Sequence, residues 1–185
     1  MGKGFTLIEL VIVIAILAIL ASIVVIVLNP AQLTAQARDS QRISDLSSVK
    51  IAIALYITTT TSTPTIGTGP YCTAAGCNVD GPFGTAGTIT TSTAVDSNGW
   101  VPVDLRKASG GSPLPSLPLD PINSGSYFYA YKGENTNHTF ELDGRLESQK
   151  YRDMMKTDGG NKNTCSDYTA TTCYYEIGTY PGLDI

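Results

Sequence analysis

Between Phe5 and Leu28 the chain has a single ionisable side chain, the carboxylate of Glu9. An ionisable group inside a bilayer costs on the order of 3 kcal/mol on insertion scales. Glu9 therefore needs a partner, or a place at headgroup level near the positive N-terminal end of its helix. Gly4, just before Phe5, has no side chain and leaves the backbone open to close approach. Other chemical material is scarce. His138 is the one histidine, which leaves almost nothing for a Ser-His-Asp constellation or a His-rich metal site. Four cysteines occur: Cys72, Cys77, Cys165 and Cys173. They allow three complete pairings, and sequence alone does not choose among them. Proximity favours Cys72–Cys77 and Cys165–Cys173. Zinc is the rival reading, but C-x2-C spacing and a second histidine are both missing. No constellation points to an enzyme, and none calls for a cofactor.

Composition supports a chain of two characters. Its 185 residues allow one domain with a short extension. Charged residues make up 15%, below the roughly 25% of an average domain. That argues against a disordered, solvated chain. The net charge of −4 offers no basic footprint for nucleic acid. The apolar residues are concentrated at one end, while the rest is rich in Thr, Ser, Gly, Asn and Pro.

From Leu10 to Leu28 every residue is apolar except Ser22. As a helix that run is about 28 Å long, close to the roughly 30 Å hydrocarbon core of a bilayer. A soluble core helix would carry a polar stripe, and this run has none. It is either a membrane span or a helix surrounded by other protein. A cleavable secretory signal would be shorter and followed by a clear cleavage site. A plain signal anchor holding an exported domain leaves Glu9 unexplained.

The segment Gly4-Phe5-Thr6-Leu7-Ile8-Glu9-Leu10, behind the basic leader Met1-Gly2-Lys3, resembles the class III signal of type IV pilins and pseudopilins. The resemblance covers about the first 30 residues. It implies cleavage between Gly4 and Phe5 by a membrane prepilin peptidase, and N-methylation of the new Phe5 amine. It also implies assembly through Phe5 and Glu9: the carboxylate of one subunit neutralises the amine of a neighbour. Lys3 on the short N-terminal side predicts an N-in, C-out precursor in the inner membrane. The implied partners are membrane lipid, the peptidase, the inner-membrane assembly platform and further copies of the chain.

The resemblance implies an α+β fold: a long helical stem over residues 5–57 packed on a small antiparallel sheet. The parts are a leader (1–4), a span (5–28), an amphipathic helix (29–57), a Thr-rich and Cys-containing loop (58–98) and a sheet head (99–185). Pro30 removes a backbone hydrogen bond and clashes with the carbonyl of Ile26, so a bend or loosened turn is expected there. Beyond it, Leu33, Ala37, Ile43, Leu46, Val49, Ile53, Tyr56 and Ile57 recur mostly at helical spacing. Arg38, Asp39, Arg42 and Asp45 lie mostly off that face. They read either as intersubunit salt bridges or as a solvated face. Thr58–Thr61 followed by Pro64 ends the helix.

In the head, strands are expected at Trp100–Leu105, Tyr127–Tyr131, Thr139–Leu142 and Tyr174–Gly178, with a turn at Gly133–Asn135. The row Tyr127, Tyr129 and Tyr131 reads as sheet packing in preference to a ligand platform. The Cys165–Cys173 loop resembles the disulfide-bounded C-terminal loop of many pilins. Leu119-Asp120-Pro121-Ile122-Asn123, entering Tyr127–Tyr131, resembles the pre-strand segment of major pseudopilins and of related pilins, and in some pseudopilins the neighbouring loop holds calcium. Asp120, Asn123 and Asp158, with Asp143 and Asp153, are the oxygen donors at hand, though no fixed spacing supports a site. The expected function is a structural subunit of a type IV pilus. The alternatives are a major pseudopilin of a type II secretion system and an exported domain on a signal anchor.

Overall fold

The computed structural model describes residues 4–75, 77, 81–168, 170 and 172–185. The leader residues Met1, Gly2 and Lys3 lie outside the described residues. Two compact units divide at Ala35 and Gln36.

The first unit holds α1 (Leu7–Leu28) and the start of α2 (Pro30–Thr59). The expected single stem is thus two helices. Asn29 separates them in the left-handed region, with φ 41°. Asn tolerates that conformation better than other side chains do, and Pro at the first position of α2 loses an N–H that would be unsatisfied anyway. Asn29 then caps α2: its carbonyl accepts from the Gln32 N–H at 2.9 Å, and its Oδ1 at 3.4 Å. The interruption falls where Pro30 predicts it. Its form is a helix stop and restart.

In the second unit, the part of α2 from Gln36 onward lies on a five-stranded sheet. The strands are β1 (Tyr71–Cys72), β2 (Thr88–Ile89), β3 (Ala130–Glu134), β4 (Thr139–Gly144) and β5 (Tyr175–Gly178), in the order β2-β1-β3-β4-β5. The sheet is mixed: β1 pairs parallel to β2, and the other three pairings are antiparallel. Register sorts the two faces. Tyr71, Tyr131, Leu142 and Ile177 stand across from one another on the helix side. There they pack with Leu46, Val49, Ile53 and Tyr56 of α2. Gly144 belongs to this face; a Cβ there would meet Leu46 Cδ1 at 3.0 Å, so the helix leaves little room for a side chain. Cys72, Ala130, Glu141, Asp143 and Glu176 occupy the opposite face.

Two expectations about the head are corrected. Trp100–Leu105 is no strand, although Trp100, Val101, Val103 and Leu105 are all buried. Pro102 has no N–H for a ladder, and the segment passes irregularly into a 3-10 turn at Leu105–Lys107. Trp100 Nε1–H instead donates to the Pro118 carbonyl at 2.8 Å. The tyrosine strand begins later than expected, at Ala130, and the β3–β4 connection is residues 135–138. Tyr129 and Tyr131 fill the helix-side core, while Phe128 packs behind the sheet against Tyr174. The Thr-rich loop is pinned by Ile66, which is buried; its carbonyl accepts from Tyr131 Oη–H at 2.6 Å.

Candidate assembly site at the N-terminus

Thr6 and Glu9 build the start of α1 between them. The Thr6 hydroxyl accepts from the Glu9 N–H at 3.3 Å. Glu9 Oε2 in return accepts from the Thr6 N–H at 2.8 Å and from the Thr6 hydroxyl at 2.7 Å. This reciprocal capping box satisfies two backbone donors that a helix start otherwise leaves unpaired. Thr6-Leu7-Ile8-Glu9 carries the Ser/Thr-x-x-Glu signature, so Thr6 was available from the sequence as a positioning residue. Among the described residues, both bonds to the carboxylate fall on Oε2. Phe5 is 82% exposed, and no residue of Leu7–Val25 is buried within the unit. That helix is long and apolar enough to cross a membrane.

Arg38, Asp39 and Arg42 match neither reading given to them. Arg42 and Asp39 are fully buried inside the head. Arg42 Nε donates to Asp120 Oδ2 at 2.6 Å and Nη1 to Asp39 Oδ1 at 2.8 Å; Nη1 also reaches Glu147 Oε1 at 2.7 Å. Arg38 holds Glu147 through two further bonds of 2.6 and 2.8 Å. Asp39 accepts the Glu147 and Ser148 N–H groups. Burial opposes the charge of Arg42, but Asp120, Glu147 and Asp39 outweigh it and raise its pKa. Burial also works against the Glu147 carboxylate, yet Arg38 and Arg42 hold its pKa below the usual value. Asp45 stands apart and accepts from Tyr129 Oη–H at 2.9 Å. Glu147 gave no sign in the sequence.

The cysteines are bonded as Cys72–Cys77 and Cys165–Cys173, with Cα separations of 5.9 and 4.9 Å. Cys173 is buried beside Leu146 and Met155. The residues it joins are 8 apart, and a loop of that size contributes about 2.5 kcal/mol by restricting the unfolded chain. Replacing both Cys165 and Cys173 by serine should therefore lower the thermal midpoint of the full-length protein by roughly 5–10 °C. Calorimetry in detergent reads this directly.

Of the oxygen donors considered for calcium, Asp120 is taken up by Arg42 and by the Ile122 and Asn123 N–H groups. Asn123 Nδ2 donates to the Thr73 carbonyl at 3.1 Å. Asp158 accepts from the Glu176 and Gly160 N–H groups, and Asp153 is exposed beside Lys156. A different group gathers on the sheet face away from α2: Glu141, Asp143 and Glu176, all buried. Burial, then repulsion from Glu141 and Glu176, pushes the Asp143 carboxyl well up. Burial with the neighbouring acids pushes Glu176 up to about 8. Glu141 and Glu176 were not singled out in the sequence, because Glu141 between Phe140 and Leu142, and Glu176 between Tyr175 and Ile177, read as ordinary solvent-face positions.

No curated protein and no solved structure matches the chain. Residues 2–25 match the prokaryotic N-terminal methylation motif. The match spans Gly4, Phe5, the Thr6–Glu9 cap and nearly all of the apolar helix. The chain thus carries the class III signal of the type IV pilin and pseudopilin superfamily.

Proposed function

We propose that this chain is a structural subunit of a type IV pilus, polymerising through its N-terminal helix. The observation that carries the reading is an all-round apolar helix with one carboxylate at its start, inside a methylation motif. Such a helix suits two solvents in turn. As a precursor it sits in the inner membrane, N-terminus in and head outside. In the filament it exchanges lipid for the helices of other copies. Prepilin peptidase cuts between Gly4 and Phe5, and methylation follows at the Phe5 amine. That amine and Glu9 of an adjoining copy then pair at the filament axis, so neither charge is left alone in an apolar setting. The assembly platform in the inner membrane supplies the work of extraction. The head's role is to face outward, and two disulfides suit an exported, oxidising location.

The test is mass spectrometry of the chain recovered from filaments sheared off the cell surface. The expected N-terminus is Phe5 carrying one added methyl group, with residues 1–4 gone. Intact leader in mature polymer overturns the reading. Absence of the chain from surface filaments, with a processed N-terminus in the envelope, favours the pseudopilin of a secretion system, towards which Asp120-Pro121 points.

A further inference from the structure

Strand register brings three carboxylates together behind the sheet. Glu141 and Asp143 alternate onto that face of β4, and Glu176 of β5 stands directly across from Asp143. All three are buried, and one carboxylate oxygen from each lies within 4.8 Å of the others. Backbone groups fix the outer two. Glu176 Oε2 accepts from the Lys162 N–H at 2.7 Å, and Glu141 Oε2 accepts from the Ile185 N–H at 3.3 Å. The remaining oxygens are the unusual ones. Both oxygens of the fully buried Asp143, and Glu176 Oε1, have no hydrogen-bond donor among the described residues.

Buried carboxylates without donors are rare and need an explanation. Among the described residues, none supplies a cation to these unpaired oxygens by direct contact. Asp158 accepts the Glu176 N–H and adds a further negative charge. Lys132, across from Glu141 in β3, has its ammonium 5.7 Å from the centre of the Phe83 ring. Lys162 acts on Glu141 and Asp143 through its field. We propose that Glu141, Asp143 and Glu176 form a calcium site that ties β4 and β5 to the segments at Lys162 and Ile185. The donor set is all oxygen, which selects a hard cation. One oxygen from each of the three carboxylates is gathered here, and calcium, which takes six to eight oxygens in flexible geometry, would complete its shell with second carboxylate oxygens and water. Magnesium keeps several of its waters and is seldom held by an all-protein cage, so these buried carboxylates favour the larger ion. Of the oxygen donors that the sequence suggests, this site takes Asp143 and leaves Asp120, Asn123, Asp153 and Asp158 aside.

The test uses full-length protein in detergent, stripped with EDTA, then given calcium chloride at constant ionic strength. Bound calcium is counted by atomic emission after gel filtration, and unfolding is followed by calorimetry. The expected result is about one calcium per chain and a midpoint rise of roughly 5–10 °C at a hundred times Kd. Asp143→Asn should lose both the bound calcium and the rise. Its midpoint in EDTA should be no lower than that of the parent, because one repelling charge is gone; that comparison shows the variant is folded. Glu176→Gln serves as the second variant. A parent that holds no calcium overturns the proposal. So do variants that keep it, or magnesium raising the midpoint equally.

Discussion

Arg42→Ala should destabilise the head by about 3–5 kcal/mol, the cost of removing one partner from a buried ion pair. The reason lies in what stays behind. Asp39 and Asp120 are held in place by the backbone N–H groups of Glu147, Ser148, Ile122 and Asn123. They cannot swing to water when the guanidinium is gone. Arg38→Ala is the contrasting variant. Its side chain is 30% exposed and touches only Glu147 within the network, so a cost of about 1 kcal/mol is expected. Urea unfolding of the full-length protein separates the two. A loss below about 1 kcal/mol for Arg42→Ala would mean that water reaches the acids. Acid should mimic the larger variant in part. The pKa of Glu147 is lowered in the folded head, so its stabilisation is complete above the unfolded value near 4.3 and is lost as pH falls through the folded value.

The same residues show where sequence reasoning reaches its limit. Leu46, Val49, Ile53 and Tyr56 were legible as the buried stripe of α2, and they are buried. Extended towards the N-terminus, that stripe passes through Arg42 and Asp39 at the same steps of three and four. Hydrophobic periodicity discards those positions because they are charged. Only their partners, 78 and 108 residues away, make the burial tolerable, and no local pattern announces them. Trp100–Leu105 failed in the opposite way. Its apolar residues are buried, but burial in a loop against α2 and burial in a strand leave similar patterns, and Pro102 was the one hint. Glu141 and Asp143 repeat the lesson on the sheet. Their alternation is that of an exposed face, and the groups that reach the cluster come from the far end of the chain: the Ile185 N–H on Glu141, and Glu176, itself held by the Lys162 N–H. The N-terminal segment was readable almost whole because its chemistry is linear. Gly4, Phe5, Thr6 and Glu9 are neighbours in sequence, and in the proposed assembly the partner they meet is another copy with the same sequence.

Replacing Glu9 should therefore abolish filaments, and the choice of replacement reveals why. In the proposed assembly each copy contributes one carboxylate and accepts one amine. Deleting the carboxylate leaves a buried ammonium at every joint, at about 3–5 kcal/mol each. Since 1.4 kcal/mol is a factor of ten, each addition step weakens by roughly two to four orders of magnitude. Glu9→Ala also removes the capping box with Thr6, so its failure alone does not separate charge from helix initiation. Glu9→Gln does. A glutamine at this position can still accept the Thr6 N–H and close the box, yet it carries no charge to meet the Phe5 amine. Electron microscopy of sheared surface material, with immunoblotting of the membrane fraction, should find both variants stable in the membrane and neither in filaments. Filaments from Glu9→Gln but not from Glu9→Ala would assign Glu9 to capping alone. Filaments from both would remove the charge pair as the joint and leave the helix to assemble by packing.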